Sequence, residues 1–341
     1  MKAIVLHNKG DVNQLKYEEV EVPKINDDEV LVKLKASPIN HLDIWVRIGN
    51  IPANYPVILG CEGAGDIIEV GKNITELKKT DRVVVIPKII CGKCEYCLEG
   101  NDNLCRNGKT LGVTTNGCYA EYVKVPPQNL LLMNDKMGYE EAASVPTVFG
   151  TAWRALITLA EIRVGETVLI QAAGSGVGTA AIQIAKLAGA KVIAAAGSDE
   201  KLEKAKSLGA DFIINYYQNE NFYKEVKDLT NGNGADAVIE QAGGNIFLKS
   251  LNCLKRGGRI VTLGATAGNK VEFDLQHFYR NNLRMLGTSG ATHREIRDVF
   301  ELVKDGKLKP IIDRAFSLKD ASLAHKYMKE RKNFGKIILK P

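Results

Sequence analysis

Long hydrophobic runs and long runs of lysine and arginine are both missing from this sequence of 341 residues. The apolar run at residues 1–6 is too short for the core of a signal peptide, and no segment approaches the length of a membrane span. Charges of both signs are interspersed and the net charge is only +6, so no nucleic-acid or membrane partner is expected. We expect a cytoplasmic protein whose partner is a small-molecule substrate.

The composition also argues against disorder and against a small fold held by disulfides. Hydrophobic residues make up 45% and charged residues 25% of the chain, which is enough apolar material for a large core. The length suggests about two domains. The cysteine count of seven is odd and four of the cysteines lie close together, which in a reducing compartment favours metal binding over disulfides.

Residues 171–178, Gln-Ala-Ala-Gly-Ser-Gly-Val-Gly, follow the apolar run 167–170 and precede a helical pattern. This order of strand, glycine turn and helix lets the backbone approach a pyrophosphate, which then sits at the positive end of the helix. Gly174 and Gly176 satisfy the first half of the motif, whereas Thr179 stands where a third glycine is expected. The stretch predicts dinucleotide binding and leaves open which backbone amides contact the phosphates.

Strand and helix patterns alternate regularly around and after this turn. Residues 191–196 are apolar at almost every position, as a strand buried on both faces of a parallel sheet requires. The predicted strands are 167–171, 191–196, 211–214, 236–240, 259–264 and 283–287, and the predicted helices are 178–188, 199–208, 220–229 and 245–254. The pattern predicts an α/β domain built on a doubly wound parallel sheet.

The rest of the chain is richer in strands and turns than in helices. In the first third, strands are predicted at 3–6, 29–35, 66–70 and 82–86 because apolar residues recur there in short runs or at a period near two. Helical patterns precede the alternating region at 140–145 and 151–157. The tail from residue 293 is interpreted as a helix, a loop, a helix and a last strand at 336–339.

Four cysteines follow the spacing C-x-x-C-x-x-C-x7-C, namely Cys91, Cys94, Cys97 and Cys105. Closely spaced thiolates can converge on one tetrahedral ion, and four sulfur ligands leave no open position for a substrate. We therefore predict a structural zinc that holds a lobe at 91–105. An iron–sulfur cluster is the alternative, because its cysteine spacings overlap with this one.

The whole chain resembles the medium-chain dehydrogenase/reductase superfamily, in particular its alcohol dehydrogenase and quinone oxidoreductase group. The resemblance is carried by Gly-Cys-Glu-Gly-Ala-Gly at 60–65, the four-cysteine lobe, the glycine turn and Phe-Gly-Lys-Ile-Ile at 334–338. It implies a GroES-like β-barrel catalytic domain at 1–149 and 289–341, and a Rossmann domain at 150–288. It also implies an active-site cleft between the two domains and a homodimer or homotetramer.

The zinc alcohol dehydrogenases of this group hold a catalytic zinc with three protein ligands, and this sequence departs at each position. Asn40 stands in place of a cysteine, Cys61 in place of a histidine, and Thr147 near the third ligand. Leu42 occupies the position of the hydroxyl residue that relays the proton of the alcohol. Amide and hydroxyl oxygens are poor zinc ligands, so the zinc-independent branch fits better. Asn40, Cys61 and Thr147 are the candidate catalytic residues.

Resemblance to that branch implies hydride transfer to a quinone or a carbonyl-activated double bond, for which orientation and a hydrogen-bond donor suffice. Asn40 is a candidate for the donor, although a structural amide that fills the former metal position explains it equally well. We expect Cys61 to be a small buried filler rather than a nucleophile. His41 is expected along the cofactor pyrophosphate or ribose, and Tyr55 and Trp45 in a pocket wall or the core.

The corner after the second Rossmann strand bears on the choice of cofactor. Relatives that prefer NAD carry an acidic residue there, which binds the adenosine ribose. This sequence has Ala196 at that position, and Ser198 and Lys201 offer a hydroxyl and a positive charge to a 2′-phosphate. Tyr216 belongs to an Asn-Tyr pair that resembles one near the 2′-phosphate in NADPH-dependent relatives. We predict NADPH as the preferred cofactor, with NADH possible.

Taken together, the motifs and the resemblance assign a larger set of cofactor contacts. The candidate cofactor-binding residues are His41, Thr151, Gly174, Ser175, Gly176, Val177, Ser198, Lys201, Tyr216, Ala242, Leu263, Gly264 and Ala265. Three functions stay open. The leading one is an NADPH-dependent reductase of quinones or activated double bonds. The others are an alcohol or aldehyde dehydrogenase and a non-enzymatic dinucleotide-binding protein.

Overall fold

The computed structural model describes residues 1–219 and 221–341. The chain divides into two compact units, one formed by Met1–Thr147 with Thr292–Pro341 and the other by Val148–Ala291. The sequence predicts the corresponding boundaries at 149/150 and 288/289. In the described part of the chain, no helix has the length and apolar character needed to cross a membrane.

The strands are numbered along the chain as follows. They are β1 (Lys2–Leu6), β2 (Leu15–Glu19), β3 (Val30–Pro38), β4 (Val57–Ile58), β5 (Gly63–Val70), β6 (Arg82–Val85), β7 (Lys88–Ile89), β8 (Lys109–Thr110), β9 (Tyr122–Val125), β10 (Leu130–Leu132), β11 (Thr167–Ile170), β12 (Lys191–Ala196), β13 (Phe212–Asn215), β14 (Ala235–Glu240), β15 (Leu254–Thr262), β16 (Arg284–Gly287), β17 (Ile312–Ser317) and β18 (Lys336–Lys340).

The helices are numbered in the same way. They are α1 (His41–Ile48), α2 (Glu95–Leu98), α3 (Tyr139–Ala143), α4 (Pro146–Trp153), α5 (Gly176–Leu187), α6 (Asp199–Ser207), α7 (Phe222–Leu229), α8 (Gly244–Asn252), α9 (Leu275–Arg280), α10 (His293–Lys304) and α11 (Ala321–Lys329). A π-helical turn at Arg154–Leu159 continues α4, and short 3-10 turns occupy Val12–Gln14, Asp102–Leu104, Pro127–Asn129 and Leu318–Asp320.

The second unit is built around a six-stranded sheet in the order β13-β12-β11-β14-β15-β16, and all of its strand pairs are parallel. Counted from β11, this is the order 3-2-1-4-5-6 of the Rossmann fold. Leu169, Ile193, Val238 and Ile260 are fully buried in the core of this unit, and the central strand β12 is buried at every position after Lys191. The predicted doubly wound parallel sheet is confirmed.

The first unit contains a seven-stranded sheet in the order β10-β6-β5-β3-β18-β17, with β9 also paired to β3. A three-stranded sheet β2-β1-β4 and the small β7-β8 pair complete it. Strand β18 pairs antiparallel with β3, so the end of the chain returns to the strands of the first third. Gly65 permits close approach of β3 and β5, since a Cβ there would lie 2.0 Å from the Lys33 carbonyl oxygen.

Some elements differ from the sequence-based expectation. Strand β17 lies in the predicted loop of the tail, and α9 lies where no helix is predicted. Strand β17 is mostly exposed or half-buried and forms through its pairing with β18, so its own residues carry no clear period. The helix predicted at 151–157 begins earlier, at Pro146 in α4. The helix predicted at 220–229 spans Phe222–Leu229, and Glu220 lies outside the described residues.

Candidate functional site

The three candidate catalytic residues enter the first unit from different elements. Asn40 precedes α1 in an extended conformation, and its backbone N–H donates to Asp43 Oδ2 at 2.8 Å. Cys61 lies between β4 and β5, and Thr147 is the second residue of α4. Asn40 and Cys61 are buried, whereas Thr147 is half-buried. The structure therefore offers a solvent-side position only to the threonine.

A buried ion pair joins these elements to the last strand. Lys336 Nζ donates to Glu62 Oε1 at 3.1 Å, to Asn40 Oδ1 at 2.7 Å and to the Ile39 carbonyl oxygen at 3.1 Å. The side chains of Lys336 and Glu62 are 4% and 0% exposed. A buried charge is strongly disfavoured unless it is paired and hydrogen-bonded, so this contact set is what allows Lys336 to remain inside.

The remaining contacts connect the candidate residues to one another. Asn40 Nδ2 donates to Glu62 Oε1 at 2.9 Å and to Cys61 Sγ at 3.4 Å. Thr147 N donates to Glu62 Oε2 at 2.7 Å, and Thr147 Oγ1 lies 3.7 Å from Cys61 Sγ. We call Asn40, Cys61, Glu62, Thr147 and Lys336 the polar cluster. It brings together all three residues that the sequence singles out as candidate catalytic positions.

Burial controls the protonation of Cys61 and of the neighbouring Asp43. It raises the pKa of the Cys61 thiol well above its usual value, and the carboxylates of Asp43 and Glu62 raise it further. Burial also raises the pKa of Asp43 to about 6, although hydrogen bonds from Asn40 N and the Tyr119 hydroxyl counteract the shift. Cys61 is thus a neutral thiol at neutral pH.

A short chain of hydrogen bonds extends from Asp43 toward α11. The Tyr119 hydroxyl donates to Asp43 Oδ2 at 2.9 Å and lies 3.4 Å from His325 Nε2. His325 is fully buried, and burial together with the positive charge of Arg47 lowers its pKa to about 3. The histidine is therefore neutral in the folded protein, with one ring nitrogen that donates and one that accepts.

The sequence also singles out three neighbouring positions. His41 is the first residue of α1, and burial and the charges of Lys336 and Arg331 lower its pKa to about 4. The Tyr55 hydroxyl donates to the Val46 carbonyl oxygen at 2.9 Å, so Tyr55 packs against the core of the first unit. The ring of Trp45 lies 6.1 Å from the ring of His41.

Sequence reasoning missed Glu62 and Lys336 as members of the site. Glu62 follows Cys61 in a stretch of small and apolar residues, which is a signal for a buried carboxylate. Lys336 begins a strand that continues Ile-Ile-Leu, where a lysine is ordinarily interpreted as solvent-exposed. Only the return of β18 to β3 places its ammonium beside Asn40, so no local pattern could have shown it.

The four cysteines of the predicted lobe do converge. Their sulfur atoms all lie within 4.8 Å of one another, with 3.6 Å between the sulfurs of Cys94 and Cys97 and 3.9 Å between those of Cys94 and Cys105. Tetrahedral zinc at about 2.3 Å from each sulfur requires separations of about 3.8 Å. Backbone N–H groups of Lys93 and Cys94 lower the pKa of Cys91 to about 6, whereas burial and the neighbouring thiols raise the pKa of Cys97 to about 12. The geometry fits a structural zinc.

In the second unit, the candidate cofactor residues follow the carboxyl ends of the parallel strands, which meet at one edge of the sheet. The structure places them as follows: Gly174, Ser175, Gly176 and Val177 after β11, Ser198 and Lys201 after β12, Tyr216 after β13, Ala242 after β14, and Leu263, Gly264 and Ala265 after β15. Thr151 lies in α4, and His41 belongs to the first unit.

The glycine turn has the geometry of a phosphate cradle. Ser175 is the N-cap of α5, and its hydroxyl oxygen accepts from Gly178 N at 2.9 Å. The first N–H groups of a helix have no intrahelical acceptor, so those of Gly176 and Val177 are suited to a phosphate. A Cβ at Gly178 would lie 2.5 Å from the Ala172 carbonyl oxygen, which shows why glycine is needed there rather than at Thr179.

Strand β12 ends at Ala196, so no carboxylate lies at the position where an acidic residue would bind the adenosine ribose of NAD. Ser198 is the N-cap of α6 and accepts from Lys201 N at 3.3 Å. The carboxylate of Asp199 is directed toward β13, because its two oxygens accept from Asn215 Nδ2 at 2.7 Å and from Gln218 Nε2 at 2.9 Å. The nearest acid is thus engaged by amides.

Both units match families of known proteins. Residues 26–135 match the family described as alcohol dehydrogenase GroES-like domain, and residues 176–305 match the family described as zinc-binding dehydrogenase. An NAD-dependent alcohol dehydrogenase from Sulfolobus acidocaldarius is 34% identical over 100% of this chain and 99% of the relative. The chain belongs to the medium-chain dehydrogenase/reductase superfamily. It is an oxidoreductase of the nicotinamide-dependent kind, with the four-cysteine zinc lobe of that superfamily.

Other members differ in their named activities. An acryloyl-coenzyme A reductase from Sulfurisphaera tokodaii is 34% identical over 100% of both chains. A crystal structure described as an NAD-dependent alcohol dehydrogenase superimposes with a TM-score of 0.97 at 40% identity and full coverage of both chains. This superfamily member is therefore similar, end to end, both to alcohol dehydrogenases and to a reductase of an activated double bond.

Proposed function

We propose that this chain is an NADPH-dependent reductase that transfers hydride to a carbonyl-activated double bond or a quinone without a catalytic zinc. The polar cluster carries the proposal. Catalytic zinc needs about three protein ligands and an open site. Of Asn40, Cys61 and Thr147, only Cys61 is of a type that binds zinc well, so the position is two ligands short of a catalytic site.

The distribution of potential ligands supports the same proposal. Among the described residues, the four lobe cysteines are the only group of three or more His, Cys, Asp or Glu side chains whose ligand atoms converge. Lys336 also brings a positive charge to 2.7 Å from Asn40 Oδ1, which disfavours a second cation at that oxygen. A reaction that needs only orientation and hydrogen bonding is consistent with this arrangement.

The substrate class is supported by relatives as well as by chemistry. Acryloyl-coenzyme A reductases from Sulfurisphaera tokodaii and Metallosphaera sedula are 34% and 30% identical to this chain. An alkene conjugated to a carbonyl accepts hydride at its β-carbon while negative charge develops on the carbonyl oxygen, which one well-placed donor can stabilise. The bound nicotinamide supplies the hydride, and the chain supplies the donor.

NADPH is proposed as the cofactor because of the corner after β12. Ala196 leaves room for a 2′-phosphate, and Ser198 offers a hydroxyl at the positive end of α6. Asp199 would repel the phosphate if it faced it, but its carboxylate is engaged by Asn215 and Gln218. Lys201 lies in the first turn of α6 and adds a positive charge to the same corner.

A panel of hydride acceptors tests the proposal. NADPH oxidation is followed with an enoyl thioester, an enone, a quinone and an aldehyde, and the reverse reaction is measured with NADP⁺ and primary and secondary alcohols. We expect the highest kcat/KM with an enone, enoyl thioester or quinone. Preference for alcohols or aldehydes over every one of these would contradict the proposal.

The names of two similar proteins favour a second candidate function, which is alcohol oxidation. The relative from Sulfolobus acidocaldarius and the structure with a TM-score of 0.97 are both named NAD-dependent alcohol dehydrogenases. If that activity applied here, the polar cluster would have to polarise an alcohol without three zinc ligands, or to recruit a metal that its side chains bind poorly. Alcohol oxidation in the same panel distinguishes the two functions.

A further inference from the structure

The hydrogen atoms of the polar cluster can be assigned one after another, starting from Lys336. Its ammonium carries three hydrogens, and three acceptors lie within reach, namely the Ile39 carbonyl oxygen, Asn40 Oδ1 and Glu62 Oε1. An ammonium has no lone pair, so it must face the carbonyl oxygen of the Asn40 amide rather than its nitrogen. The orientation of that amide follows from its contact with Lys336.

With the amide oriented in this way, both hydrogens of Asn40 are used. Nδ2 donates to Glu62 Oε1 at 2.9 Å and to Cys61 Sγ at 3.4 Å. The residue is 6% exposed, which leaves little surface for a ligand. A substrate carbonyl could gain a hydrogen bond from Asn40 only at the expense of a contact inside the cluster.

The thiol of Cys61 lies between Asn40 and Thr147 in this set of contacts. It is 1% exposed, and burial keeps it protonated, so Sγ carries a hydrogen that needs an acceptor. Sγ already accepts from Asn40, and Thr147 Oγ1 lies 3.7 Å away. Either atom of this contact can be the donor, and because Sγ already accepts from Asn40 we assign the S–H group as the donor to Thr147 Oγ1. In that direction the hydrogen of the threonine hydroxyl has no acceptor among the described residues.

We propose that Thr147, rather than Asn40, donates the hydrogen bond that stabilises negative charge on the substrate carbonyl oxygen. The hydroxyl ends a one-way chain in which Lys336 donates to Asn40, Asn40 to Cys61 and Cys61 to Thr147. Each donor in such a chain polarises the next, so the ammonium strengthens the terminal O–H as a donor. Asn40 is then a positioning residue, and Thr147 the catalytic one.

This assignment of Thr147 rests on the proposed reduction of a carbonyl-activated double bond. With the cofactor bound, a C–H bond of the reduced nicotinamide would break and release the hydride. The hydride would form a C–H bond at the β-carbon of the substrate, and the alkene π electrons would move onto the carbonyl oxygen. Thr147 keeps its proton and donates a hydrogen bond to that oxygen. A solvent proton then adds at the α-carbon, so the substrate is reduced by two electrons and the cofactor is oxidised by two.

Replacing Thr147 by valine tests the assignment, because valine keeps the shape and loses the hydroxyl. Loss of one donor to a developing oxyanion lowers kcat by about 100-fold, and KM is expected to change by less than about threefold. Thr147→Ser restores the hydroxyl and should recover most of kcat. Thr75→Val, at an exposed site outside the polar cluster, serves as the matched control and should leave kcat unchanged.

The outcomes separate this inference from the proposed function. If the wild-type protein reduces no enone, enoyl thioester or quinone, the proposed function fails whatever the variants do. If the wild type is active and Thr147→Val keeps kcat within about threefold, or Thr147→Ser does not recover it, the assignment of Thr147 is wrong. Thr147→Ala replaces the valine variant in the same comparison if the latter does not fold, as judged by its thermal transition.

Discussion

A lysine on a β-strand ordinarily keeps its ammonium in water, yet Lys336 places it among Asn40, Glu62 and the Ile39 carbonyl oxygen. At the scale of single residues, the contacts of Lys336 account for the arrangement of the polar cluster better than those of Asn40, Cys61 or Thr147 do. It orients the amide of Asn40 and neutralises Glu62. The proposed function takes Asn40, Cys61 and Thr147 as an incomplete set of zinc ligands, and Lys336 places a positive charge beside Asn40.

Cofactor preference is a second property of single residues. Replacing Ala196 by aspartate puts a carboxylate where it can accept from the ribose hydroxyls of NADH and repel a 2′-phosphate. We expect Ala196→Asp to raise the Kd for NADPH and lower that for NADH, with a change of at least about tenfold in their ratio, or about 1.4 kcal/mol. Titration of each cofactor by its fluorescence measures both constants.

Ser207→Asp is a suitable control, because it adds the same charge at the last turn of α6 and away from the corner. Tighter binding of NADH than of NADPH by the unaltered protein would contradict the proposed preference. An unchanged ratio in Ala196→Asp would show that the adenosine ribose does not approach the end of β12.

The burial of His325 allows us to predict how the stability of the protein depends on pH. The pKa of its imidazole is about 3 in the folded protein and 6.5 for an unperturbed histidine, so the unfolded chain binds a proton in that interval and the native state does not. The contribution of the neutral imidazole to the free energy of unfolding is complete above pH 6.5 and is lost as the pH falls toward 3. Between pH 7.5 and 5 this loss is about 2 kcal/mol.

His325→Gln keeps a hydrogen-bond donor for the Tyr119 hydroxyl oxygen and cannot be protonated. We expect the fall in the free energy of unfolding between pH 7.5 and 5 to be smaller in this variant by about 2 kcal/mol. Urea denaturation at the two pH values measures it, and His7→Gln, at an exposed histidine, is the control. Equal falls in the wild type and in His325→Gln would show that His325 is not neutral when folded.

At the scale of elements, the cysteine lobe is a local unit with little regular structure. Only the four-residue α2, the 3-10 turn Asp102–Leu104 and the short β7-β8 pair lie in or beside it. It is tied to α10 by His293, whose N–H donates to Asp102 Oδ1 at 3.0 Å and whose Nε2 contacts the Lys88 carbonyl oxygen at 2.7 Å. Of residues 91–105 only Cys105 is buried, so a metal bound to the four cysteines would supply much of the stability of the lobe.

Exchange of Cys94 for serine should remove the lobe zinc and lower Tm by at least about 5 °C, because a structural zinc contributes directly to folding. NADPH binding, which involves the glycine turn of the other unit, is expected to persist. Leu98→Ser in the same lobe is the control, since Leu98 is 76% exposed. Retention of both zinc and Tm in Cys94→Ser would contradict the structural role of the lobe.

The elements also show what the sequence could and could not predict. Strands such as β12 are apolar throughout because both faces of a parallel sheet are covered, so their pattern is visible without any partner. Strand β17 exists through its pairing with β18, and α9 has no buried residue to create a helical period. The cysteine lobe could be predicted since its four ligands are close in sequence, whereas the approach of Lys336 to Glu62 spans most of the chain.

At the scale of the whole molecule, the proposed function combines a nicotinamide site in one unit with a polar cluster in the other that works without a catalytic zinc. An alcohol dehydrogenase and an acryloyl-coenzyme A reductase are both 34% identical to this chain, and a structure described as an alcohol dehydrogenase is 40% identical, so overall similarity does not assign one of these activities. The metal content separates them in part, since the lobe accounts for one zinc and a second would indicate a catalytic site.

The central claim is tested most directly by measuring zinc per chain in the purified, active protein by mass spectrometry of the metal. We predict about one zinc per chain, all of it lost in Cys94→Ser, together with NADPH-dependent reduction of an enone or enoyl thioester. About two zinc ions per chain, with one retained in Cys94→Ser and needed for turnover, would contradict the account.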